Sequence, residues 1–152
     1  MSRSPFRSEG PRGFSVVEMI IAIVMVAIVL GAGAPSIARH ITHSRVNRAA
    51  TIMAGDLELA LSVAARQRQP VRVAADPSTL EISITDRATA QPIVKRPYGA
   101  DSDFRLESLT ASATVDMLPH GMTTAPATYT LAIGDYSRQV TVTRAGHVRV
   151  EQ

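Results

Sequence analysis

The chain has 152 residues, of which 45% are hydrophobic, 19% are charged and 4% are aromatic, and it contains no cysteine. This length allows one modest globular domain with an appended segment, and the lack of cysteine excludes disulfides, thiolate chemistry and cysteine-ligated zinc. The formal net charge of +3 falls close to neutral without residues 1–13, which carry Arg3, Arg7 and Arg12 against Glu9 alone, so a general polyanion binder is not indicated.

Residues 1–13, MSRSPFRSEGPRG, form a polar and basic segment. Pro5, Gly10 and Pro11 interrupt it, so no stable helix or core is expected there. A secretory signal would pass from such a segment into a short apolar stretch and a small-residue cleavage site, whereas here the apolar pattern continues much further. We therefore predict a leader over residues 1–13.

The next segment, residues 14–34, is apolar apart from one carboxylate, Glu18. At a rise of about 1.5 Å per residue, a helix of this length spans about 30 Å, the thickness of a hydrocarbon core. We predict a transmembrane helix over residues 14–35. Basic residues on both sides of it leave the positive-inside rule indecisive, and the arginines of the leader, which lie nearest its start, favour a cytoplasmic amino terminus. A carboxylate in this position is costly unless it is neutralised, which makes Glu18 a functional-site hypothesis.

A helix is predicted to continue into the head over residues 36–69. Apolar side chains recur there mostly every four residues and predict one buried face, formed by Ile41, Val46, Ala50, Met53, Leu57, Leu61 and Ala64. The helix is expected to end by Pro70, since proline cannot continue it. Gly31, Gly33 and Pro35 are predicted to bend or loosen the helix between its two halves.

Beyond Pro70 the apolar pattern alternates, which is typical of β-strands. Strands are predicted at residues 71–75, 80–85, 92–96, 104–109, 129–133, 137–143 and 147–150. Gly-Asp at 134–135 and Ala-Gly at 145–146 are predicted turns. The expected fold is α+β, in which a long amino-terminal helix packs by its second half against a small antiparallel β-rich head over residues 70–152, because a small sheet needs such cover to bury one face.

The amino-terminal sequence resembles that of type IV pilin-like prepilins. Such prepilins carry a basic leader, a glycine, a methylatable residue that is usually Phe, a glutamate four residues later and an apolar helix. The corresponding residues here are Gly13, Phe14 and Glu18, followed by MIIAIVMVAIVL, and Pro35 falls where members often carry a helix-bending proline. The resemblance implies that a prepilin peptidase cuts between Gly13 and Phe14 and methylates the new amine of Phe14.

The remaining chain is similar to the GspH/FimT family of minor pseudopilins, in which a long helix precedes a small β-rich head. The similar stretches are LPHGM, with Pro119 and Gly121, then YTLAIGDYSRQVTVT, and finally RAGHVRV. The resemblance therefore implies a late Pro-x-Gly element and a closing strand in the head.

A second hypothesis concerns Arg144, His147 and Arg149 near the carboxyl terminus. The family often ends in a Gly-Arg-x-Arg-like sequence, which is linked to DNA binding in some uptake-associated members, whereas here His147 follows Gly146. This departure weakens the transfer of the DNA-binding role. Outward-facing, solubilising side chains are the alternative explanation, because strand alternation places Arg149 opposite its apolar neighbours.

Glu18 gains a candidate partner when the chain is cut before Phe14, because the new amine is positively charged. At a spacing of four residues, the amine and the carboxylate can pair within one helix or between neighbouring helices. The family resemblance favours pairing between subunits, with Glu18 setting the axial register during subunit addition. The spacing alone leaves both arrangements open.

Other polar residues give weak signals for ligand sites. His40 and His43 lie one helical turn apart without a convincing third ligand, and Asp101 with Asp103 is typical of an exposed turn. No metal site, cofactor or catalytic residue is predicted.

These observations predict a minor pseudopilin, a structural and assembly subunit of a type II secretion pseudopilus or a related pilus-like machine, and not an enzyme. Its expected partners are a prepilin peptidase, other pseudopilins or pilins, and an inner-membrane assembly platform. Its expected location is the inner membrane with the head in the periplasm. The alternative is a minor type IV pilin whose head binds DNA during uptake, and an unrelated signal-anchored periplasmic enzyme is a third reading without a recognised motif.

Overall fold

A computed structural model describes residues 14–151, except for the side chains of residue 30 and residues 32–36. The described part begins with helix α1, Val16–Gln67. The amide of Met19 donates to the carbonyl of Ser15 at 3.1 Å. After the helix, Arg68 adopts a left-handed conformation with φ 54°. The helix therefore ends at Gln67, shortly before Pro70, as predicted.

Two compact units divide the chain, Met1–Ala38 and Arg39–Gln152. The described part of the first unit is largely the amino-terminal portion of α1. The second unit contains the remainder of α1 and the strands of the head. The boundaries proposed from the sequence for a leader, a transmembrane helix, an amphipathic helix and a head stay predictions.

Antiparallel strands build the described part of the head. Their bounds are β1 Val71–Asp76, β2 Glu81–Asp86, β3 Pro92–Pro97, β4 Ser108–Ala111, β5 Val115–Met117, β6 Ala127–Ile133, β7 Tyr136–Val142 and β8 Val148–Glu151. They form two four-stranded sheets with the orders β3-β2-β1-β5 and β4-β6-β7-β8. The predicted α+β fold, a long helix followed by an antiparallel β-rich head, is confirmed.

The core of the head lies between the second half of α1 and the two sheets. The helix contributes Val46, Ala49, Ala50, Met53, Leu57, Ala60, Val63 and Ala64. The sheets contribute Val71, Val73, Ile82, Ile84, Leu109, Val115, Met117, Tyr129, Leu131, Val140 and Val142. Each larger aliphatic side chain buried in this way stabilises the fold by about 1.5–3 kcal/mol. Two residues of the predicted stripe are exceptions. Ile41 precedes the first buried helical residue, Val46, and is 46% exposed, and Leu61 is half-buried.

The strand predicted over residues 104–109 begins later, at Ser108. Phe104 and Leu106 are buried, but in an irregular segment. The ring of Phe104 stacks on Tyr98 with 5.2 Å between centroids, and the amide of Leu106 donates to the carbonyl of Tyr98 at 2.8 Å. A φ of 50° at Arg105 interrupts the extended conformation. The alternation therefore reflects burial around Tyr98 instead of a strand ladder.

Strand β5 was not predicted, because a carboxylate, Asp116, lies in the middle of its three buried residues. The Nε atom of Arg72 donates to Oδ1 of Asp116 at 2.8 Å, and Nε of Arg87 lies 3.3 Å from Oδ2. These partners are distant in sequence, so no local pattern indicates that the charge is neutralised. β5 pairs with β1, which places Asp116 directly opposite Arg72.

Both predicted reversals are present. Gly134 and Asp135 join the paired residues Ile133 and Tyr136 in a two-residue hairpin, with φ 56° at Gly134. Gly146, with φ 79°, lies in the reversal between β7 and β8. Positive φ angles at these two positions favour glycine because it has no Cβ.

Candidate functional site

The amino-terminal part of α1 is apolar on all sides and exposed within the chain. Exposed fractions of its apolar side chains range from 51% at Val24 to 75% at Val16, and Phe14, two residues before the helix, is 82% exposed. The side chains concerned are Phe14, Val16, Val17, Met19, Ile20, Ile21, Ile23, Val24, Met25, Val26, Ile28 and Val29. A helix that is apolar all round is stable when it is surrounded, either by a large assembly or by lipid. This segment therefore requires a covering environment outside the chain.

Phe14 lies two residues before α1, and Glu18 lies in the first turn of α1. Both side chains are exposed. A carboxylate near a helix amino terminus interacts favourably with the helix dipole, by about 0.3–1 kcal/mol at an exposed position. Their spacing of four residues is one helical turn, which allows the amine of a cut chain to pair with Glu18 of its own helix or of a neighbour. Gly13, the other residue of the predicted cleavage site, lies outside the described residues.

The three residues predicted to bend α1 lie within its bounds. Gly31 is exposed, and a Cβ on it would meet no atom within 4 Å, so space alone does not require glycine there. The side chain of Pro35 lies outside the described part, and the bend at Gly31, Gly33 and Pro35 stays a prediction. Among the described residues, no helical stretch is both long and apolar enough to cross a membrane.

An ion pair attaches α1 to β3. The Nε atom of Arg96 donates to Oδ2 of Asp56 at 2.5 Å, and Nη2 donates to Oδ1 at 2.9 Å. The side chain of Asp56 is 8% exposed, whereas that of Arg96 is 37% exposed. Hydrogen bonding to Asp56 raises the pKa of the Arg96 guanidinium above its ordinary value. Two parallel bonds restrict the orientation of both groups, so this pair sets the position of α1 against β3.

A polar cluster of four side chains, His43, Asn47, Tyr136 and Arg138, attaches α1 to the start of β7. The Oδ1 atom of Asn47 accepts hydrogen bonds from the hydroxyl of Tyr136 at 3.0 Å and from Nε of Arg138 at 2.7 Å. The rings of His43 and Tyr136 stack with 3.8 Å between centroids and an interplanar angle of 16°. We call these residues the Asn47 cluster. The Asn47 cluster could not be predicted from sequence periodicity, because each of its members is a polar residue of a kind that is common on protein surfaces.

Two turns meet at the end of the head where α1 ends. A Cβ on Gly146 would lie 2.0 Å from the carbonyl oxygen of Gly121 and 3.7 Å from Cδ1 of Leu61. The amide of Thr123 donates to the carbonyl of Arg144 at 2.9 Å. The Pro-x-Gly element and the closing hairpin, which are separate in the sequence, are therefore packed against each other and beside the helix.

The three residues considered for DNA contact, Arg144, His147 and Arg149, lie on the hairpin formed by β7 and β8. Arg144 is in the turn, His147 directly precedes β8, and Arg149 lies within β8 opposite Thr141. All three are exposed, and none forms an ion pair with another described residue. The fold brings them to one hairpin, and their contact with DNA stays a prediction.

The residues considered as metal ligands are dispersed. His40 is exposed, and His43 stacks on Tyr136. Asp101 and Asp103 are exposed in an irregular segment. Within the described part of the chain, no group of three or more His, Cys, Asp or Glu residues is placed to hold a metal ion.

A shallow, open cleft of about 180 Å³ lies beside β2. Its lining residues are Asp76, Thr79, Glu81, Ser83, Thr85 and Lys95. Hydrogen bonds from the hydroxyl and the amide of Ser78 lower the pKa of Asp76, and Nζ of Lys95 lies 3.6 Å from Oε1 of Glu81. Both carboxylates of the cleft are therefore already engaged within the chain.

The family model described as "Type II transport protein GspH" matches residues 49–146. This range contains most of the second half of α1, β1 to β7 and the turn at Gly146. It excludes the apolar amino-terminal part of α1. No curated protein matches the sequence.

Solved structures similar to this chain include two crystal forms of the type IV minor pilin FimU of Pseudomonas aeruginosa PAO1. The first has a TM-score of 0.58 at 19% identity and covers 72% of this chain and 90% of FimU. The second has a TM-score of 0.56 at 21% identity, with 70% and 92% covered. The minor pseudopilin EpsH from the type 2 secretion system of Vibrio cholerae has a TM-score of 0.54 at 17% identity, with 70% and 95% covered. At these identities the similarity establishes a shared fold.

Proposed function

This chain belongs to the family of type II transport protein GspH, and from that premise we propose that it is processed at Gly13 and Phe14 and assembled through the apolar part of α1. It is a minor pseudopilin or minor pilin of a type II secretion or pilus system. Subunits of this kind are structural and assemble with other pilins. We propose a type II secretion pseudopilus as the assembly, and a role without catalysis.

The observation that carries the proposal is the apolar, exposed amino-terminal part of α1, with Glu18 in its first turn, joined to a head of the GspH family. Residues 14–34 contain no other charge. We propose that they lie in the inner membrane before assembly, with the head in the periplasm, and contact neighbouring helices afterwards. The same apolar surface then serves for storage in lipid and for packing in the filament.

Cleavage after Gly13 would give the proposed mechanism its charge partner. The new amine on Phe14 carries a positive charge, and an isolated carboxylate in an apolar environment is costly. Pairing of the Phe14 amine with Glu18 of an adjacent subunit would give each charge an opposite partner in the apolar environment. An incoming subunit would then be held at the axial position where the two groups meet. The proposed partners in these steps are a prepilin peptidase and an inner-membrane assembly platform.

Mass spectrometry of the chain from a host with an active prepilin peptidase tests the proposal. We expect a mature chain that begins at Phe14 and carries an added methyl group on its amine. Gly13→Val should leave the leader in place, whereas Gly10→Val, at the other glycine of the leader, should be processed normally. A wild-type chain that still begins before Phe14 in that host would contradict the proposal.

A further inference from the structure

The two sheets have four outer strands, β3, β5, β4 and β8. Two of them, β3 and β8, differ in how well they exclude an additional strand. β3 begins at Pro92, ends at Pro97 and carries the exposed Lys95. Proline lacks the amide that a neighbouring strand would use, and a lysine on an edge disfavours close approach, so both features protect a sheet edge. β8 is the last strand in the order β4-β6-β7-β8 and contains neither residue type. Among the described strands, β8 is therefore an outer strand without proline or lysine, and its charged residues are Arg149 and Glu151.

The ladder between β7 and β8 determines which backbone groups face the open side. The amide of Thr143 donates to the carbonyl of His147 at 2.9 Å. Hydrogen-bonded pairs alternate with non-hydrogen-bonded pairs along an antiparallel ladder. The amide and carbonyl of Arg149 therefore point toward β7, and those of Val148 and Val150 point toward the open edge.

The side chains of β8 present an apolar residue between opposite charges. Val150 pairs with the buried Val140, yet its own side chain is 45% exposed because no strand lies beyond it. Arg149 and Glu151 lie on the opposite face and are exposed. Neither forms an ion pair with another described residue.

The direction of β8 restricts what can pair with it. β7 runs alongside α1, because Tyr136 at its start contacts Asn47 and Gly146 beyond its end lies beside Leu61. β8 is antiparallel to β7 and therefore runs against α1. Antiparallel pairing of β8 with β8 of a second copy would set the two α1 helices in opposite directions. Subunits whose helices share one direction therefore cannot pair in this way.

We propose that the open edge of β8 pairs with one extended segment of a neighbouring subunit. This segment is not the β8 strand of a second copy. This segment adds antiparallel to β8, and it carries a basic, an apolar and an acidic residue in that order. The basic residue lies opposite Glu151, the acidic residue opposite Arg149, and the apolar residue exchanges backbone hydrogen bonds with Val150. That the segment comes from a neighbouring subunit rests on the proposed function. The order of its basic, apolar and acidic residues follows from the side chains of β8 alone.

Two synthetic hexapeptides test this edge on the full-length, isotope-labelled chain in detergent micelles. HVRVEQ is the sequence of residues 147–152 and has the required charge order. A free peptide carries no α1, so the restriction on helix direction does not apply to it. HVEVRQ has the same composition and the reversed order. In an NMR titration we expect HVRVEQ to shift the amide resonances of Val148 and Val150 and to bind about tenfold more tightly than HVEVRQ.

The double variant Arg149→Glu with Glu151→Arg supplies the matched control. It should reverse the preference, so that HVEVRQ binds more tightly, while resonances elsewhere in the head stay in place. Equal binding of both peptides, an unchanged preference in the double variant, or shifts confined to another surface would overturn the proposal. Shifts of the same resonances by a short DNA duplex and by neither peptide would also overturn it. None of these results would alter the mass of the processed chain, so failure here is distinguishable from failure of the proposed function.

Discussion

Gly146 lies against Gly121 backbone to backbone, since a Cβ on Gly146 would come within 2.0 Å of the carbonyl oxygen of Gly121. The contact joins the Pro-x-Gly element to the turn between β7 and β8. It forms although the two glycines are far apart in the sequence, and it leaves no space for any other residue at position 146.

Gly146→Ala should destabilise the head by about 3 kcal/mol or more, because the methyl group clashes with backbone and the residue keeps a positive φ. The control is Gly134→Ala, where φ is also positive but a Cβ would meet no atom within 4 Å. That substitution should cost about 1–2 kcal/mol from backbone strain alone. Urea unfolding followed by circular dichroism measures both values. Equal losses would show that the contact with Gly121 does not contribute.

Removing either partner of the Asp56–Arg96 pair should have unequal effects. Arg96→Met leaves a buried carboxylate without its partner, whereas Asp56→Ala leaves a guanidinium that reaches solvent. We expect losses of about 3 kcal/mol for Arg96→Met and about 1–2 kcal/mol for Asp56→Ala in the free energy of unfolding. The double variant should be more stable than the sum of the two losses indicates. A larger loss for Asp56→Ala would contradict the assignment of Asp56 as the buried partner.

The hydroxyls of Tyr98 and Tyr129 should make the head sensitive to alkaline pH. Both are buried without a hydrogen-bond partner among the described residues, and burial raises the pKa of both above the ordinary tyrosine value. The unfolded chain releases these protons first, so stability is complete below about pH 10 and declines as the pH rises above it. Tyr129→Phe should reduce this decline in urea unfolding measured across the alkaline range. A decline of unchanged steepness would contradict the explanation.

At neutral pH, Tyr129→Phe removes a polar group that has no partner and should leave the stability unchanged or raise it by up to about 1 kcal/mol. Tyr136→Phe is its control, because the Tyr136 hydroxyl donates to Asn47. That variant should lose about 1 kcal/mol.

Glu18→Gln should allow processing and prevent incorporation, because the amide is neutral and cannot pair with the amine of Phe14. We expect a mature mass shifted by the substitution alone, together with loss of the chain from sheared filaments. Glu58→Gln is the control, since Glu58 is an exposed carboxylate on the second half of α1. Normal incorporation of Glu18→Gln would refute the role proposed for the carboxylate.

The hypothesis of DNA contact makes a separate prediction for Arg149. A labelled duplex should bind the chain at low salt, and Arg149→Ala should weaken this binding and reduce its salt dependence. Arg87→Ala is the control, because Arg87 lies beside Asp116 and not on the hairpin of β7 and β8. Fluorescence anisotropy at several salt concentrations measures both. Absence of binding at low salt would exclude the hypothesis.

Periodicity was sufficient to predict the elements whose burial follows a local pattern. Alternation placed β1 to β3 and β6 to β8 within a few residues of their observed bounds. Spacing by three and four placed the buried stripe of α1, from Val46 to Ala64. Gly-Asp and Ala-Gly located both late reversals because tight turns restrict φ.

The contacts that hold the elements against one another produce no recognisable local pattern in the sequence. Asp56 and Arg96, and likewise Asp116 and Arg72, become partners only when strands and helix are assembled. Asn47 is a polar residue on a helix until β7 brings Tyr136 and Arg138 to it. Phe104 shows the converse, because it is apolar and buried yet belongs to no strand. Burial of a side chain therefore does not determine the conformation of its backbone.

The contacts between α1 and β7 have a mechanical consequence. Asn47 holds the helix at one end of the strand, and Leu61 lies beside Gly146 at the other. Tension along α1 would therefore load these contacts in shear, together, instead of peeling them apart one after another. A head attached in this way resists extraction of its helix with the combined strength of both ends.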